Sequence, residues 1–354
     1  ETYHENRAVF RRIWLRPRIL RNVRYVDPST KILGIPSALP FYITATALGR
    51  MGHPDGELNL TRAAAKTGLI QMIPTLSSVS FDEIIDARNQ EGGPAQFFQL
   101  YVSTDRNVVA NMLRRAEETN VKAIFVTVDA PQLGRREQDM RMHFVDEGSN
   151  VQGGHVEKRD EGAARAITSF IDPSFDWDDV LWMKRQTRLP ILLKGVQTWE
   201  DAVQAYEMGL AGVVLSNHGG RQLDFARSGV EVLEEVMREL RKRGSFPNPA
   251  FQVMVDGGFR RGTDILKALA MGATAVGIGR PFLYAYSAYG VDGVIHAINL
   301  LRDELEMNMR LIGARSIEEL VPSMVDLSAL HNHTGAVFPK QDQSVLDFMD
   351  KSRL

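Results

Sequence analysis

The chain contains no cysteine, so disulfides, thiolate nucleophiles and Cys-ligated metal are all excluded. It has no excess of either charge. Lys+Arg 42 against Asp+Glu 44 leaves a net charge of −2, which gives no basic footprint for nucleic acid. No apolar run approaches the roughly 20 residues of a membrane span. No G-x-G-x-x-G follows an early strand, which argues against an open dinucleotide-binding sheet, the alternative architecture. No internal repeat or low-complexity tract is present beyond an alternation of strands and helices. What remains is a soluble-type composition over 354 residues, enough for one large α/β barrel or two ordinary domains. Glu1 opens a charged, helix-like segment without a signal peptide, so an upstream part of the protein is expected to be missing.

From Phe41 onward, short β-rich runs alternate with helical patterns. Strands are expected at Phe41–Thr46, Leu69–Ile73, Gln96–Tyr101, Ala123–Val128, Ile191–Lys194, Gly212–Ser216, Gln252–Asp256 and Ala275–Gly279. Helices are expected near 57–67, 80–90, 105–119, 177–187, 198–208, 229–243 and 261–271, with a long one at about 291–312. Eight such units predict an α/β fold, a closed (β/α)8 TIM barrel over 41–312. Residues 1–40, basic and broken by proline, predict a wrapping segment with a short hairpin at Ile32–Leu39; residues 313–354 predict a C-terminal tail. Between strands four and five, residues 130–176 form a long inserted loop, expected to be a mobile excursion over the active-site face and a candidate lid.

Chemistry in such a barrel collects at the C-terminal strand ends. The segment GVVLSNHGGRQLD, residues 212–224, carries an apolar strand directly into polar groups. His218 can exchange a proton near neutral pH. Arg221 offers a planar fork that matches a carboxylate. A base beside a carboxylate clamp points to an acid substrate that loses a proton. The last two strands run into Asp256-Gly257-Gly258 with Arg260, and into Gly279-Arg280. Glycine-exposed N–H groups, a helix start and two arginines there fit a phosphate. A phosphate clamp facing a base and an arginine implies a phosphorylated cofactor. FMN fits, with Thr46, Ser77, Gln99 and Thr127 on its polar edge and Lys194 holding negative charge on the reduced ring. Pyridoxal phosphate remains open on these residues, with Lys194 as the Schiff-base lysine. No metal ligand set is expected.

The combined stretches SNHGGRQLD, KGV at Lys194, QLYV at Gln99, TVDAPQLGRRE from Thr127 and DGGFRRGTDILKAL from Asp256 resemble the FMN-dependent α-hydroxy-acid-oxidising family, over nearly the whole chain. That family includes glycolate oxidase, lactate oxidase, mandelate dehydrogenase and flavocytochrome b2, and SFIDPSFDW, GRPFLYA and DLSAL read most like the flavin domain of the last. The resemblance implies that His218 is the base and that Asp129 fixes its tautomer. Arg221, helped by Arg136 from the long loop, binds the carboxylate, and Tyr101 hydrogen-bonds the substrate oxygen. Lys194 stabilises the reduced flavin. Ala45, Thr46, Ala47, Ser77, Gln99, Thr127 and Ser216 line the ring and ribityl chain. Asp256, Gly257, Gly258, Arg260, Gly279 and Arg280 hold ribityl and phosphate. Ala47, Leu76 and Val79 set substrate size.

The implied reaction is oxidation of an L-2-hydroxy acid, foremost L-lactate to pyruvate, with electron transfer to a cytochrome-type acceptor. L-mandelate as substrate and O2 as acceptor are the alternatives within the class. The resemblance also implies a homotetramer, the mitochondrial intermembrane space, and haem b only on a separate N-terminal domain outside this chain. Two departures stand out. The family's carboxylate-binding Tyr, in a YYxSGA segment, falls before residue 1, so an inactive FMN-binding barrel is the alternative of another class. Pro74 replaces a Ser near the flavin, which makes Ser77 the expected contact.

Overall fold

The computed structural model describes residues 1–135 and 170–334, the side chains of 333 and 334 excepted. A helix at Thr2–Ala8 and a 3-10 turn at Val9–Arg12 lead into β1 (Trp14–Leu15) and a hairpin of β2 (Thr30–Ile32) and β3 (Ile35–Ser37). Eight strands follow: β4 (Phe41–Ile43), β5 (Met72–Ile73), β6 (Gln96–Leu100), β7 (Val121–Thr127), β8 (Ile191–Val196), β9 (Gly212–Leu215), β10 (Gln252–Asp256) and β11 (Ala275–Ile278). They pair in parallel in the order β4-β11-β10-β9-β8-β7-β6-β5. A parallel bridge between Ile43 and Gln71, with the Ile43 amide donating to the Ile70 carbonyl at 3.0 Å, brings the two ends of the sheet together. This is the expected (β/α)8 barrel, with every expected strand present.

The side-chain period of two decides what faces inward. Tyr42, Phe97, Phe125, Leu192, Val214 and Met254 pack together inside the barrel. Their neighbours Ile43, Phe98, Ile124, Leu193, Val213 and Val255 face outward, under the helices. Strands covered on both faces are apolar throughout, which explains their continuous hydrophobic runs. The β2–β3 hairpin contributes Ile32 to the interior cluster, and its Leu33 amide donates to Gln252 Oε1 at 3.0 Å. It thereby plugs the N-terminal end of the barrel. Stepping two residues toward the other end from each interior residue reaches Thr44, Gln99, Thr127, Lys194, Ser216 and Asp256. The polar layer of the site is thus the next inward layer above an apolar floor.

The outer helices start where the sequence offers a cap. Ser80, Asp176 and Ser228 each close a capping box with the acidic residue three positions on. One expectation is corrected. The last long helix starts at Arg280, not near 291, and runs to Ile312 with a break at Tyr289–Gly290. Gly279-Arg280-Pro281 reads as a turn, but proline in the first turn of a helix costs no hydrogen bond. In the tail, β12 (Val325–Asp326) pairs with β1, and a helix spans Ser328–Thr334. The middle of the long loop, 136–169, with Arg136 and the expected lid, lies outside the described residues, as do 335–354.

Candidate active site

A cleft of about 310 Å³ opens at the C-terminal strand ends. Its wall includes Ala45, Thr46, Ala47, Leu76, Gln99, Tyr101, Thr127, Lys194, His218, Arg221, Asp256, Gly257, Gly258, Arg260, Gly279 and Arg280. Sixteen of the residues singled out from the sequence therefore meet in one cavity, although they come from seven of the eight strand ends and the β5 loop.

His218 sits just past β9 with φ +58, a left-handed conformation uncommon for a non-glycine residue. The Ser216 hydroxyl holds it there by accepting from the His218 amide at 3.0 Å. On one side of the ring, Nδ1 lies 2.9 Å from Asp129 Oδ1; on the other, Nε2 lies 3.3 Å from the Tyr101 hydroxyl. A carboxylate on Nδ1 keeps the proton there and leaves Nε2 free to accept one. The Asp129 carboxylate is buried beneath the ring. Burial alone would raise its pKa, but the His218 contact and the Lys194 charge outweigh burial, and the carboxyl lies below its ordinary value. Gly195 makes room for this arrangement. Its φ is +113, and a Cβ there would come within 2.6 Å of Asp129 Cβ and Cγ.

Lys194 is fully enclosed, 3.3 Å from Asp256 Oδ2 and 3.5 Å from the Ser216 hydroxyl, to which it donates. Burial would lower its pKa; the carboxylates of Asp256 and then Asp129 reverse that, and the group lies above its ordinary value of 10.5. It is a fixed ammonium at the floor of the cleft. Gln99 is held in turn: its Oε1 accepts from the Thr75 amide at 3.1 Å, and its Nε2 donates to Thr127 Oγ1 at 2.9 Å.

The opposite end of the cleft carries positive charge. Arg280 donates to the Gly219 carbonyl at 2.8 Å and stacks on the Tyr3 ring at 5.0 Å. Burial first, then the charge of Arg221 and to a lesser degree that of Arg260, lower the Arg280 pKa. Like charges this close favour an anion between them. Asp264 shapes the loop below by accepting from the Arg260 and Arg261 amides at 3.1 and 3.0 Å. Gly257 and Gly258 have φ +95 and +88, which only glycine adopts without strain.

The FMN-dependent dehydrogenase family profile matches residues 1–327. The chain belongs to the FMN-dependent dehydrogenase family. An L-lactate dehydrogenase (cytochrome) from Wickerhamomyces anomalus is 53% identical over 332 residues, covering 94% of this chain and 57% of that protein. Glycolate oxidase 3 of Arabidopsis thaliana is 44% identical over 327 residues, covering 90% and 86%. A mutant flavocytochrome b2 with pyruvate bound superposes with a TM-score of 0.85 at 47% identity, covering 98% of this chain and 83% of that one. The chain thus spans little more than half the length of the lactate dehydrogenase it matches. Lactate and glycolate are both 2-hydroxy acids, so FMN-dependent 2-hydroxy-acid oxidation is the class these relatives share.

The site fits the family's cofactor, FMN. Thr44 Oγ1, Thr46 Oγ1 and Ser77 Oγ are buried without a hydrogen-bond partner among the described residues, as is Asp129 Oδ2. Buried hydroxyls rarely stay unpaired, and two of these three line the cleft. A glycine cradle backed by arginines at one end, and a fixed ammonium at the floor, suit a phosphate and an electron-rich ring. When bound, FMN would supply a two-electron acceptor in this cleft.

Four expected residues do not line the cleft itself: Asp129, beneath the His218 ring, and Val79, Ser77 and Ser216. Val79 does not reach the cleft: it packs in the core beneath the helices, and its amide donates to Glu57 Oε2 at 3.2 Å. Ser216 and Ser77 lie behind the wall, Ser216 as the bracket of His218 and Lys194. Several residues escape the sequence reading. Leu48, Leu133 and Leu283 also line the cleft. Leu133 packs with Leu76, Ala130 and Ile171 into a small apolar wall beside Ala47 and Tyr101. A glycine inside an apolar strand is the available sign for Gly195.

Proposed function

We propose that the chain is the catalytic flavin part of an L-2-hydroxy-acid dehydrogenase that converts L-lactate to pyruvate and passes electrons to a cytochrome or another one-electron acceptor. One observation carries this: an imidazole clamped between Asp129 and Tyr101, with its Nε2 free to accept a proton, faces a cleft that also presents Arg221. In this reading Arg221 binds the substrate carboxylate as a fork, with Arg136 as its expected partner. Tyr101 orients the hydroxyl. His218 Nε2 takes the substrate proton, and Asp129 stabilises the resulting imidazolium. Lys194 offsets the negative charge that arrives with the electrons. The apolar wall of Ala47, Leu76 and Leu133 accommodates the lactate methyl group. A tetramer in the mitochondrial intermembrane space belongs to the same reading.

An O2-using oxidase, or a larger substrate such as mandelate, is the second reading. The short Ala47 side chain in the apolar wall leaves room for the larger substrate, and the glycolate oxidase relative supports the oxidase. A visible spectrum of the FMN-loaded protein separates the two: taken without air, then after L-lactate, then after air. Bleaching by lactate with slow recovery in air and fast recovery on cytochrome c supports the dehydrogenase. Fast recovery in air supports the oxidase. A flavin left oxidised by L-lactate, glycolate and mandelate alike refutes both.

A further inference from the structure

The N-terminal helix Thr2–Ala8 is far from the barrel strands in sequence, yet two of its residues lie between the two halves of the site. Asn6 is buried, and so is Asn217, the residue immediately before His218. Their amides pair reciprocally: Asn6 Nδ2 donates to Asn217 Oδ1, and Asn217 Nδ2 donates to Asn6 Oδ1, each at 2.8 Å. Asn217 spends its remaining capacity on its own loop. Its Oδ1 also accepts from the Gly220 amide at 3.1 Å, and its Nδ2 also donates to the Arg227 carbonyl at 2.9 Å. Asn217 is therefore used in full on this contact and on the turn that holds His218 in its left-handed conformation.

The same Asn6 touches the anion loop. A side chain at Gly258 would collide with the Asn6 carbonyl oxygen, and one at Gly257 would meet the Asn6 amide at 3.4 Å. Tyr3, one turn earlier on the same face, repeats the pattern. Its ring lies under Arg280, and its backbone would be 2.7 Å from a Cβ at Gly220. One helix face thus rests on both the base loop, 217–220, and the anion loop, 257–258 with Arg280.

We propose that Asn6 is a positioning residue that couples the two loops, so that grip on the cofactor phosphate and placement of His218 depend on each other. The proposal rests on the function proposed above. Asn6 touches neither substrate nor cofactor in this assignment and acts through Asn217 and the Gly257–Gly258 backbone. A residue that served stability alone would lower the melting temperature and leave both loops' chemistry intact in the folded protein.

The test is Asn6→Leu in the FMN-reconstituted chain, with four readouts: melting temperature, FMN Kd from flavin fluorescence, kcat and KM with L-lactate, and the Kd of oxalate as a non-reacting carboxylate probe of the His218–Arg221 side. The expected result is a roughly tenfold weaker FMN Kd together with a roughly tenfold lower kcat at saturating FMN, the scale of losing buried hydrogen bonds. KM, set mainly by Arg221, stays within about twofold, whereas the oxalate Kd weakens several-fold, because the second carboxylate of oxalate reads the placement of His218. A loss in FMN affinity alone, a loss in kcat alone, or neither, overturns the coupling. If Asn6→Leu does not fold, Asn6→Asp decides. It keeps the acceptor for Asn217 Nδ2 but sets a buried carboxylate oxygen against Asn217 Oδ1 in place of the donor, so paired losses are again expected, and an unpaired change overturns the proposal. A wild-type flavin that no 2-hydroxy acid bleaches refutes the proposed function instead. In that case the FMN and oxalate constants still decide the coupling, which requires both to weaken.

Discussion

Replacing Asp129 by Asn exchanges one carboxylate oxygen for an amide and leaves the shape of the side chain unchanged, so the clearance given by Gly195 is kept. The chemistry changes sharply. The Nδ1–Oδ1 contact at 2.9 Å is a charge-assisted hydrogen bond to a buried carboxylate, worth about 1.5–3 kcal/mol, or roughly ten- to 150-fold in a rate that depends on it. An amide adds a second loss. Its NH2 group can face Nδ1 and donate to it, which moves the ring proton to Nε2 and turns the base into a donor. The two effects together set an expected fall in kcat of at least about 100-fold, with KM near the wild-type value. Lys194 keeps Asp256 at 3.3 Å, so the fold and FMN binding should persist. The assay is stopped-flow bleaching of the flavin by L-lactate without air, on protein whose FMN content has been measured. An Asp129→Asn variant that bleaches within about threefold of wild type would refute the assignment of Asp129 as the group that orients and charges the base.

Arg221→Lys should raise KM by roughly ten- to 100-fold with FMN retained, since an ammonium cannot make the forked contact; unchanged steady-state kinetics would remove Arg221 from the carboxylate site. Lys194→Met strands the buried carboxylates of Asp256 and Asp129 and should cost about 3–5 kcal/mol of stability, weaken FMN binding and slow flavin reduction, all readable by denaturant melts and reconstitution. Its pH dependence follows from the raised pKa of Lys194. The charged lysine stabilises the fold fully below its ordinary value of 10.5, and that contribution is lost as pH rises through the higher folded value. The wild type should therefore lose stability above about pH 10.5 in a way that Lys194→Met does not, and parallel alkaline melts of the two proteins would contradict it. Leu76→Ala should open the apolar wall and shift the ratio of kcat/KM for mandelate over lactate upward by about tenfold, within the roughly 1–3 kcal/mol that a pocket of this kind discriminates; a ratio that does not move would place the substrate side chain elsewhere.

The barrel is legible because its strands are apolar on both faces and end in polar residues at a fixed offset. Lys194 and Asp256 stand two positions beyond Leu192 and Met254, so the inward period that fills the interior also delivers the site. The family resemblance, and not periodicity, supplies the roles of Asp129 and Tyr101, which lie 89 and 117 positions from His218 and share no local pattern with it. Val79 is misplaced by sequence because Leu76 and Val79 stand on a short irregular loop, where spacing does not reveal which side chain faces the cleft. The helix from Arg280 is hidden because Gly-Arg-Pro is equally compatible with a turn and a helix start. The N-terminal helix reads as part of a solvated wrapping segment. Its polar residues Asn6 and Tyr3 carry no chemistry of their own, and the worth of Asn6 depends on a contact 211 positions away.

The electrostatic balance of the cleft explains why so many cations are gathered there. Among the described residues, Lys194, Arg221, Arg260 and Arg280 face two carboxylates, Asp129 and Asp256. Two positive charges are left over. A phosphate monoester brings about 1.5 to 2 negative charges, and a substrate carboxylate brings one more. The loaded site is then slightly negative, which favours a proton arriving on His218, where the buried Asp129 already waits. In the proposed reaction, a substrate proton taken up by the imidazole would bring its positive charge against that carboxylate without any ion moving in from solvent. Three of these four cations have separate places: Lys194 is pinned by Asp256 at the floor, Arg280 is tied to the Gly219 carbonyl, and Arg221 lines the cleft with His218. Removing any one should therefore disturb a different observable, stability and flavin affinity for Lys194, phosphate grip for Arg280, substrate affinity for Arg221. A pooled positive patch would instead give the same graded loss at each position.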